Sequence, residues 1–477
     1  MSAGFRTFNP IKNDWNTEVY QNTTQEELNH SLNLVSDAQR YYGRQTPQKR
    51  AQFLKSIAAC MIQEKERIKG FYLAESGLSE TRFETEWNRT IHTISHFSTH
   101  LTTDFQAVKT EYFQSESLQI QKHKLPIGPV LVLGSSNFPL AYSTAGGDSI
   151  SALAAGCCVI VKAHPMHVGT SSAVANCIFE AMKQLNFPLG IFTHLIDEGY
   201  QLAQALCIDD RIKAIGFTGS IKGGKTLMDI SQSRVNPIPV FAEMGSLNPV
   251  LIHTDLSKEM ETEFAQKLAL SITNDAGQFC TKPGVIFVRT MHSENHFVQE
   301  LKNALSLINP VPMLHPKIHR NFEERKKEVL SIPGVKSFSC AIAAKGIEGT
   351  WCLAETTLQD FASNSSLQEE VFGPFALLVY YQDVAALNIV LESLPGQLTG
   401  SVFFHEHGSQ IDEWIEILCA KVGRIILNGV PTGVRVVETM HHGGPFPASS
   451  DVRFTAVGQD SINRFQKDVS IQSQNIT

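Results

Sequence analysis

The side chain of this sequence best suited to nucleophilic chemistry is a cysteine in a polar segment that carries glycine. Cys280 ends the run Gly-Gln-Phe-Cys at 277–280, and Thr281 and Lys282 follow it. A thiolate is a strong nucleophile, and a carbonyl carbon is its natural target. The chain has nine cysteines, and a lone cysteine is more often an inert core thiol, so the residue type alone leaves both interpretations open.

Two further polar residues follow apolar runs and could assist such a thiol. Glu243 comes directly after the run 238–242, at a position where parallel sheets present groups to ligands. If burial raises its pKa, this carboxyl could act as a general base. Asn137 follows the run 129–134, and its amide could donate to an oxyanion. The alternatives are a surface or helix-capping Glu243 and a simple turn at Asn137.

Two more segments could hold a phosphorylated cofactor. The turn Phe-Thr-Gly-Ser at 217–220, followed by Gly223 and Gly224, has the glycine content and free N–H groups that cradle a pyrophosphate. Its spacing is not GxGxxG, and glycine turns are common in α/β proteins. The segment Glu-Glu-Val-Phe-Gly-Pro at 369–374 could equally be an acidic turn. Each motif alone is weak.

The elements that must position these groups alternate regularly. The chain has 477 residues, which exceeds the roughly 250–300 of a single core, so we expect two sizeable domains. Helical spacing dominates the first hundred residues, for example Leu28, Leu32, Val35 and Ala38. Strands then alternate with helices from 129 to 242 and again from 249 to 380, which predicts parallel sheets covered on both faces. Between these parts, residues 108–124 alternate like a half-exposed strand.

Composition excludes several classes of partner. Charged residues make up 18% of the chain, the formal net charge is −7, and no basic run suggests nucleic acid or an anionic membrane. No apolar stretch approaches the roughly 20 residues that span a bilayer, and the start at 1–5 lacks a signal-peptide pattern. An odd number of cysteines without paired CxxC motifs predicts neither a disulfide framework nor a zinc site, and favours the cytoplasm. We interpret the pair His441-His442 as a loop feature.

The order and spacing of all these motifs resemble the aldehyde dehydrogenase superfamily over nearly the whole chain. The resemblance implies an α/β, aldehyde dehydrogenase-like fold with two Rossmann-like α/β domains and a β oligomerisation arm. Residues 1–107 and 125–243 would form the dinucleotide-binding domain and 244–437 the catalytic domain. Residues 108–124 and 438–477 would be the oligomerisation arm and tail of a homodimer or homotetramer.

The resemblance also implies a role for each motif. Cys280 would attack the aldehyde, Asn137 and the Cys280 N–H would stabilise the alkoxide, and Glu243 would activate water to hydrolyse the thioester left by hydride transfer. No metal is needed. Lys162 would reach the adenosine ribose and Glu370 the nicotinamide ribose. The further cofactor-binding residues would be Phe217, Gly219, Ser220 and Gly224 at the pyrophosphate turn and Phe372 near Glu370.

The cofactor implied is NADP or NAD, and one position favours NADP. Many NAD-using members carry a Glu three residues after the lysine that ends the strand, where it binds the ribose hydroxyls. Here the segment is Lys-Ala-His-Pro at 162–165, so that carboxylate is absent. We expect NADP to be preferred, with Lys162 and His164 near its 2′-phosphate.

The segments 162–171, 426–436 and 441–458 resemble the branch of the family that oxidises α-ketoglutaric semialdehyde (2,5-dioxovalerate). Its distal carboxylate needs a cation, and Arg89 and Arg435 are the candidates. The close alternative is oxidation of medium- or long-chain aldehydes by the same groups. Less favoured are a CoA-acylating dehydrogenase, a cysteine hydrolase and a catalytically silent protein.

Overall fold

The computed structural model describes residues 4–113, 118–289 and 295–474. Residues 114–117 of the expected arm, 475–477 of the expected tail and 1–3 of the start lie outside the described residues. Among the described residues, no helix combines the length and the apolar character needed to cross a membrane.

Helices occupy most of the first hundred residues, as their apolar spacing predicts. Leu28, Leu32, Val35 and Ala38 are all buried on the first of them. A second run of apolar residues at helical spacing, Phe53, Ile57, Met61 and Ile68, predicts one continuous helix, but the chain breaks at Glu64, which ends one helix and precedes the next. The elements are β1 (Phe8–Asn9), β2 (Asp14–Trp15), α1 (Gln25–Tyr42), α2 (Pro47–Gln63), α3 (Lys65–Ser76), α4 (Glu80–Thr103), β3 (Val108–Phe113) and β4 (Leu118–Pro126).

A five-stranded parallel sheet follows. Its elements are β5 (Val130–Leu133), α5 (Gly147–Ala155), β6 (Val159–Lys162), α6 (Val168–Gln184), β7 (Phe192–Leu195), α7 (Gln201–Ile208), β8 (Ala214–Thr218), α8 (Ile221–Gln232) and β9 (Val240–Glu243). The strand order is β7-β6-β5-β8-β9, so the chain reverses direction across the sheet between β5 and β8. Ligands of open parallel sheets bind at such a switch point, beyond the carboxyl ends of the strands.

The second half of the chain forms a larger sheet. Its first elements are β10 (Val250–Ile252), α9 (Lys258–Thr273), β11 (Val285–Arg289), α10 (His296–Ser306), β12 (Val311–Pro312), α11 (Pro316–Leu330), β13 (Lys336–Ser339), β14 (Glu348–Gly349) and β15 (Cys352–Thr357). The chain continues with α12 (Leu358–Ser363), β16 (Phe375–Tyr381), α13 (Val384–Ser393), β17 (Gln397–Phe403), α14 (Ser409–Cys419), β18 (Val422–Leu427) and β19 (Gln466–Gln474). The order β13-β15-β16-β11-β10-β17-β18 is parallel except at β13.

Both faces of this second sheet are buried. Leu251 and Phe287 belong to the apolar core on one face, whereas their neighbours Val250 and Ile286 belong to the core on the other. Strands buried on both sides appear in a sequence as short continuous apolar runs, which is how they were recognisable. The predicted α/β class with parallel sheets is confirmed.

A separate three-stranded antiparallel sheet joins the middle of the chain to its end. Its order is β19-β4-β3, and β19 pairs with β4 over its whole length, from Gln466 opposite Pro126 to Gln474 opposite Leu118. The side chains of β19 are almost all exposed, so this sheet has little core of its own.

Glu86 of α4 fixes the loop that follows β5. Its buried carboxylate accepts hydrogen bonds from the backbone N–H groups of Leu140 (2.8 Å) and Ala141 (2.9 Å) and from the Tyr72 hydroxyl (2.8 Å). Arg82 forms an ion pair with the same group at 3.2 Å. Because Asn137 lies in this loop, Glu86 indirectly determines where that amide points.

We expect Glu86→Ala to lower the free energy of unfolding by about 3–5 kcal/mol, because it leaves two backbone N–H groups and the Tyr72 hydroxyl buried without their acceptor and removes one of the two carboxylates that pair with Arg82. Urea denaturation at fixed protein concentration measures this. The matched control is Glu84→Ala on the same helix, where a partly exposed pair with Lys65 is lost and about 1 kcal/mol or less is expected. Equal effects of the two substitutions would contradict the role assigned to Glu86.

Candidate active site

Cys280 lies in a loop that the chain enters through an unusual turn. After α9, a short 3-10 helix covers Asn274–Gly277, and inside it Asp275 and Ala276 have left-handed backbone conformations (φ 48° and 54°). Such conformations are costly for residues other than glycine and persist only where neighbours hold them. Arg82 holds this one, because its Nε donates to the Asp275 carboxylate at 2.8 Å.

Asn248 anchors the cysteine segment itself, and sequence reasoning missed it. Its Nδ2 donates to the carbonyls of Cys280 (2.9 Å) and Lys282 (2.8 Å), and its Oδ1 accepts from the Thr399 hydroxyl at 2.8 Å. The side chain is fully buried, and its backbone is left-handed (φ 51°). The signal available in the sequence was a polar amide in a segment between two apolar runs.

Glu243 ends β9 and is 4% exposed, so the carboxylate that the sequence singled out is buried. The segment 448–450 runs beside this edge strand: the Met244 N–H donates to the Ala448 carbonyl at 2.8 Å, and Glu243 bridges to Ser449. This pairing brings His442 against the carboxylate, and His442 Nε2 donates to Glu243 Oε1 at 2.9 Å.

The thiol completes this group. Cys280 Sγ lies 3.8 Å from His442 Nε2, and one ligand atom each of Glu243, Cys280 and His442 lies within 4.8 Å of the others. Burial raises the pKa of the Cys280 thiol well above its ordinary value, and the Glu243 carboxylate raises it further. The resting thiol is therefore protonated near neutral pH and must pass its proton to a neighbour before it attacks.

The charge state of Glu243 results from two opposing effects. Burial alone would raise its pKa, but the charge and the hydrogen bond of His442 lower it below its ordinary value. The carboxylate is therefore ionised, and His442 Nε2 must carry the proton of their hydrogen bond. Glu243 Oε2 is buried and has no hydrogen-bond partner within the described part of the chain, so it can accept a proton from the thiol or from water.

The interpretation of the histidine pair as a loop feature misses the role of one member. His442 does lie in a loop, but it is 1% exposed and contacts both Glu243 and Cys280. His441 is only partly buried and makes neither contact. The available signal was the position of the pair in a segment rich in glycine and proline.

Asn137 approaches the cysteine loop from the other side. Its Nδ2 donates to the carbonyl of Gln278 at 2.8 Å, two residues before Cys280. The sequence-predicted amide and thiol therefore come together. This contact uses one N–H of the Asn137 amide.

Beside the thiol, an aromatic cluster of Phe138, Tyr142 and Phe279 forms an apolar wall. Arg89 of α4 lies against it: its Nη2 donates to the Tyr142 hydroxyl at 2.6 Å, and its guanidinium lies 4.8 Å from the Tyr142 ring centroid. Within the described residues, Arg89 has no carboxylate partner.

The second predicted arginine is placed differently. Arg435 is exposed, between Val434 and Val436, which pack against the aromatic cluster. Sequence reasoning missed a nearer arginine, Arg424 of β18. Burial lowers the pKa of Arg424, and an ionised Cys280 would oppose that shift. Its guanidinium donates to backbone carbonyls of the loop at 431–433. An arginine in an otherwise apolar strand was the signal.

The residues expected to bind a dinucleotide gather at the switch point of the five-stranded sheet. Lys162 ends β6 and is 6% exposed. The ring of Phe217 packs against the turn that follows β8. A Cβ on Gly219 would lie 2.5 Å from that ring. Ser220 caps α8 and accepts from the Gly223 N–H at 3.2 Å, and Gly224 packs closely on Met244.

Glu370 completes this crevice from the other half of the chain. A Cβ on Gly245 would come within 2.5 Å of its Oε2, so a larger residue at position 245 would displace this carboxylate. Burial raises the pKa of Glu370, while the buried Lys282 ammonium opposes that shift. Phe372 is half-buried beside Gly373. A glycine turn at a helix N-terminus, a strand-end lysine and a carboxylate fit the pyrophosphate and two riboses of a dinucleotide.

Comparison with known proteins identifies the family of this chain. The model of the aldehyde dehydrogenase family matches residues 2–460. An α-ketoglutaric semialdehyde dehydrogenase from Azospirillum brasilense is 35% identical over 99% of this chain and 92% of its own length. Another enzyme of that name, from Acinetobacter baylyi, is 34% identical over 95% of this chain and 88% of its own.

Solved structures agree in fold. A 1-pyrroline-5-carboxylate dehydrogenase from Thermus with bound NAD superimposes with a TM-score of 0.85 at 18% identity, covering 100% of this chain and 91% of its own. An NADP complex of glyceraldehyde-3-phosphate dehydrogenase GapN from Methanocaldococcus jannaschii gives a TM-score of 0.83 at 16% identity and covers 99% of both chains. This chain belongs to the aldehyde dehydrogenase family and is an NAD(P)-dependent oxidoreductase acting on aldehydes.

Proposed function

We propose that the enzyme oxidises α-ketoglutaric semialdehyde to 2-oxoglutarate through a thioester on Cys280, with Glu243 as the general base. The observation that carries the chemical part is the convergence of Glu243, Cys280 and His442 within 4.8 Å. The substrate is supported by the names of the two relatives that match nearly the whole chain, and by an arginine beside the aromatic wall.

In this proposal, the Cys280 thiol loses its proton, through water or through Glu243, as sulfur forms a bond to the aldehyde carbon. The other amide N–H of Asn137 and the backbone N–H of Cys280 stabilise the resulting alkoxide. The chemistry that a bound nicotinamide ring supplies is the acceptance of one hydride. Loss of that hydride from the carbon on Cys280 restores the carbonyl and leaves a thioester.

Hydrolysis then uses the same carboxylate. Any proton that Glu243 took from the thiol first leaves to solvent. The ionised carboxylate then removes a proton from water as the water oxygen attacks the thioester, the carbon–sulfur bond breaks, and that proton passes to the sulfur, which regenerates the thiol and releases the acid. A base held this close to the thioester disfavours transfer to CoA, because water would compete. His442 keeps Glu243 ionised in a buried place. None of these steps requires a metal.

Arg89 is the residue we propose for the distal carboxylate of the substrate. A guanidinium forms two parallel hydrogen bonds with a carboxylate, and such charge-assisted bonds are strong where water is excluded. Its contact with Tyr142 holds the guanidinium beside the aromatic wall while leaving other N–H groups unused. Arg435, which is exposed, stays the weaker candidate.

We propose NADP as the preferred cofactor and NAD as the alternative. Lys162, His164, Phe217, Gly219, Ser220, Gly224, Glu370 and Phe372 stay the predicted binding residues. We also propose the division into a dinucleotide-binding part (1–107 and 125–243), a catalytic part (244–437) and an arm with its tail (108–124 and 438–477). The almost fully exposed β19 supports assembly into a homodimer or homotetramer through that arm. The cytoplasm stays the predicted compartment.

Glu243→Gln should retain a single-turnover burst of NADPH but lower steady-state turnover by about 10²–10⁴-fold, because hydrolysis loses its base. Stopped-flow absorbance measures both phases, and Cys280→Ala should show neither phase while still binding cofactor. A chelator should change nothing. Steady-state turnover within a few fold of wild type would contradict the role of Glu243 in hydrolysis. Loss of the burst would show that Glu243 alone accepts the proton of the thiol.

His442→Ala should move the acidic limb of the pH profile of kcat upward by about one pH unit or more. Glu243 works ionised, so activity is lost as the pH falls through its pKa. Among the effects that lower that pKa against burial, those of His442 are the largest, so without His442 the pKa rises and the loss begins at higher pH. His441→Ala is the matched control and should leave the limb in place. An unmoved limb in His442→Ala would refute the coupling.

Arg89→Gln should lower kcat/KM for α-ketoglutaric semialdehyde by about 10–100-fold, because the substrate carboxylate loses a charge-assisted hydrogen bond. An uncharged aldehyde of similar length should lose little, which separates recognition from general damage. Arg435→Gln is the matched control. Equal losses on both aldehydes would contradict the assignment, and a wild-type preference for medium- or long-chain aldehydes would support the alternative substrate.

A further inference from the structure

Basic side chains from both halves of the chain gather where β6 ends. Burial lowers the pKa of His164 well below its ordinary value, and the charges of His167, Lys162, His315 and Lys317 lower it further. His315 and Lys317 stand at the start of α11, in the other half of the molecule. The lowered pKa values leave these histidines uncharged near neutral pH, so the positive charges at this place are those of Lys162 and Lys317.

Two lysines, one from each half of the chain, contact neighbouring residues of one loop. Lys162 Nζ donates to the Gly199 carbonyl at 3.1 Å. Lys317 Nζ donates to the Tyr200 hydroxyl at 3.1 Å and lies 5.4 Å from the centroid of that ring. The start of α11 therefore reaches across to the loop between β7 and α7.

Contacts with neighbouring groups fix the histidines 164, 167 and 315 in place. The rings of His164 and His167 stack with centroids 5.2 Å apart and an angle of 20° between their planes. His167 Nε2 donates to the Ser135 carbonyl at 2.9 Å, and this hydrogen bond fixes the orientation of the His167 ring. His315 Nδ1 accepts from the Lys317 backbone N–H at 3.1 Å, so the lysine backbone is fixed while its side chain remains exposed.

We propose that Lys317, reaching over from α11, joins Lys162 and His164 in binding the 2′-phosphate of NADP, so that the phosphate is held between the two halves of the enzyme. This inference rests on the proposed preference for NADP. A phosphate dianion would pair with the ammonium groups of Lys162 and Lys317, and the neutral His164 ring can donate a hydrogen bond to it. The N-terminus of α11, a helix of fifteen residues, adds a favourable field for an anion. Tyr200 supports Lys317 in that position.

The test measures binding, independent of turnover. Isothermal titration of wild type, Lys317→Met and Lys327→Met would use NADP, NAD, adenosine 2′,5′-bisphosphate and 5′-AMP. Lys327 is the matched control, an exposed lysine in the last turn of the same helix. We expect Lys317→Met to weaken NADP and the bisphosphate by about tenfold or more, the effect of one lost charge-assisted contact. NAD and 5′-AMP should change less than twofold, and Lys327→Met should change nothing.

The binding constants distinguish failure of the role of Lys317 from failure of the proposed cofactor preference. Equal weakening of NADP and NAD by Lys317→Met would place the lysine on a part shared by both dinucleotides and overturn the inference. A wild-type preference for NADP that Lys317→Met leaves unchanged would overturn the inference alone. Tighter wild-type binding of NAD would overturn the proposed cofactor preference and the inference with it.

Discussion

The structure depends on one buried hydrogen bond, from His442 to Glu243, made beside the thiol of Cys280. An isolated buried carboxylate costs several kcal/mol and would take up a proton instead. The imidazole keeps it ionised and occupies one oxygen, which leaves the other free to take protons. The surrounding contacts serve to hold this arrangement: the segment 448–450 clamps β9, and Asn248 pins the cysteine loop.

The division into two sheets explains how chemistry and cofactor meet. Glu243 ends the edge strand of the five-stranded sheet, whereas Cys280 precedes β11 in the seven-stranded one. The crevice between them therefore has walls from both halves, with the glycine turn at 219–224 on one side and Glu370 on the other. The same construction brings Lys162 and Lys317, one from each half, to neighbouring residues of one loop. Relative movement of the two halves would alter nucleophile and cofactor contacts together.

Much of this could be predicted from the sequence, because the relevant signals are local. Strands of parallel sheets are short apolar runs, and Asn137, Glu243 and Cys280 each stand next to a strand or in a glycine-bearing turn. The break at Glu64 was not predictable, because the apolar spacing continues across it. His442 was missed because it lies 162 residues from Cys280 and reaches it only through pairing of a distant loop with an edge strand. Asn248 likewise owes its importance to partners in other elements.

Mass spectrometry of the trapped acyl-enzyme tests the central claim most directly. Glu243→Gln mixed with excess NADP and α-ketoglutaric semialdehyde, quenched in acid and digested, should carry one acyl group on the peptide that contains Cys280. Hydroxylamine, which cleaves thioesters, should remove that mass. An acyl group on another cysteine, or an unmodified Cys280 peptide after NADPH has formed, would contradict the account.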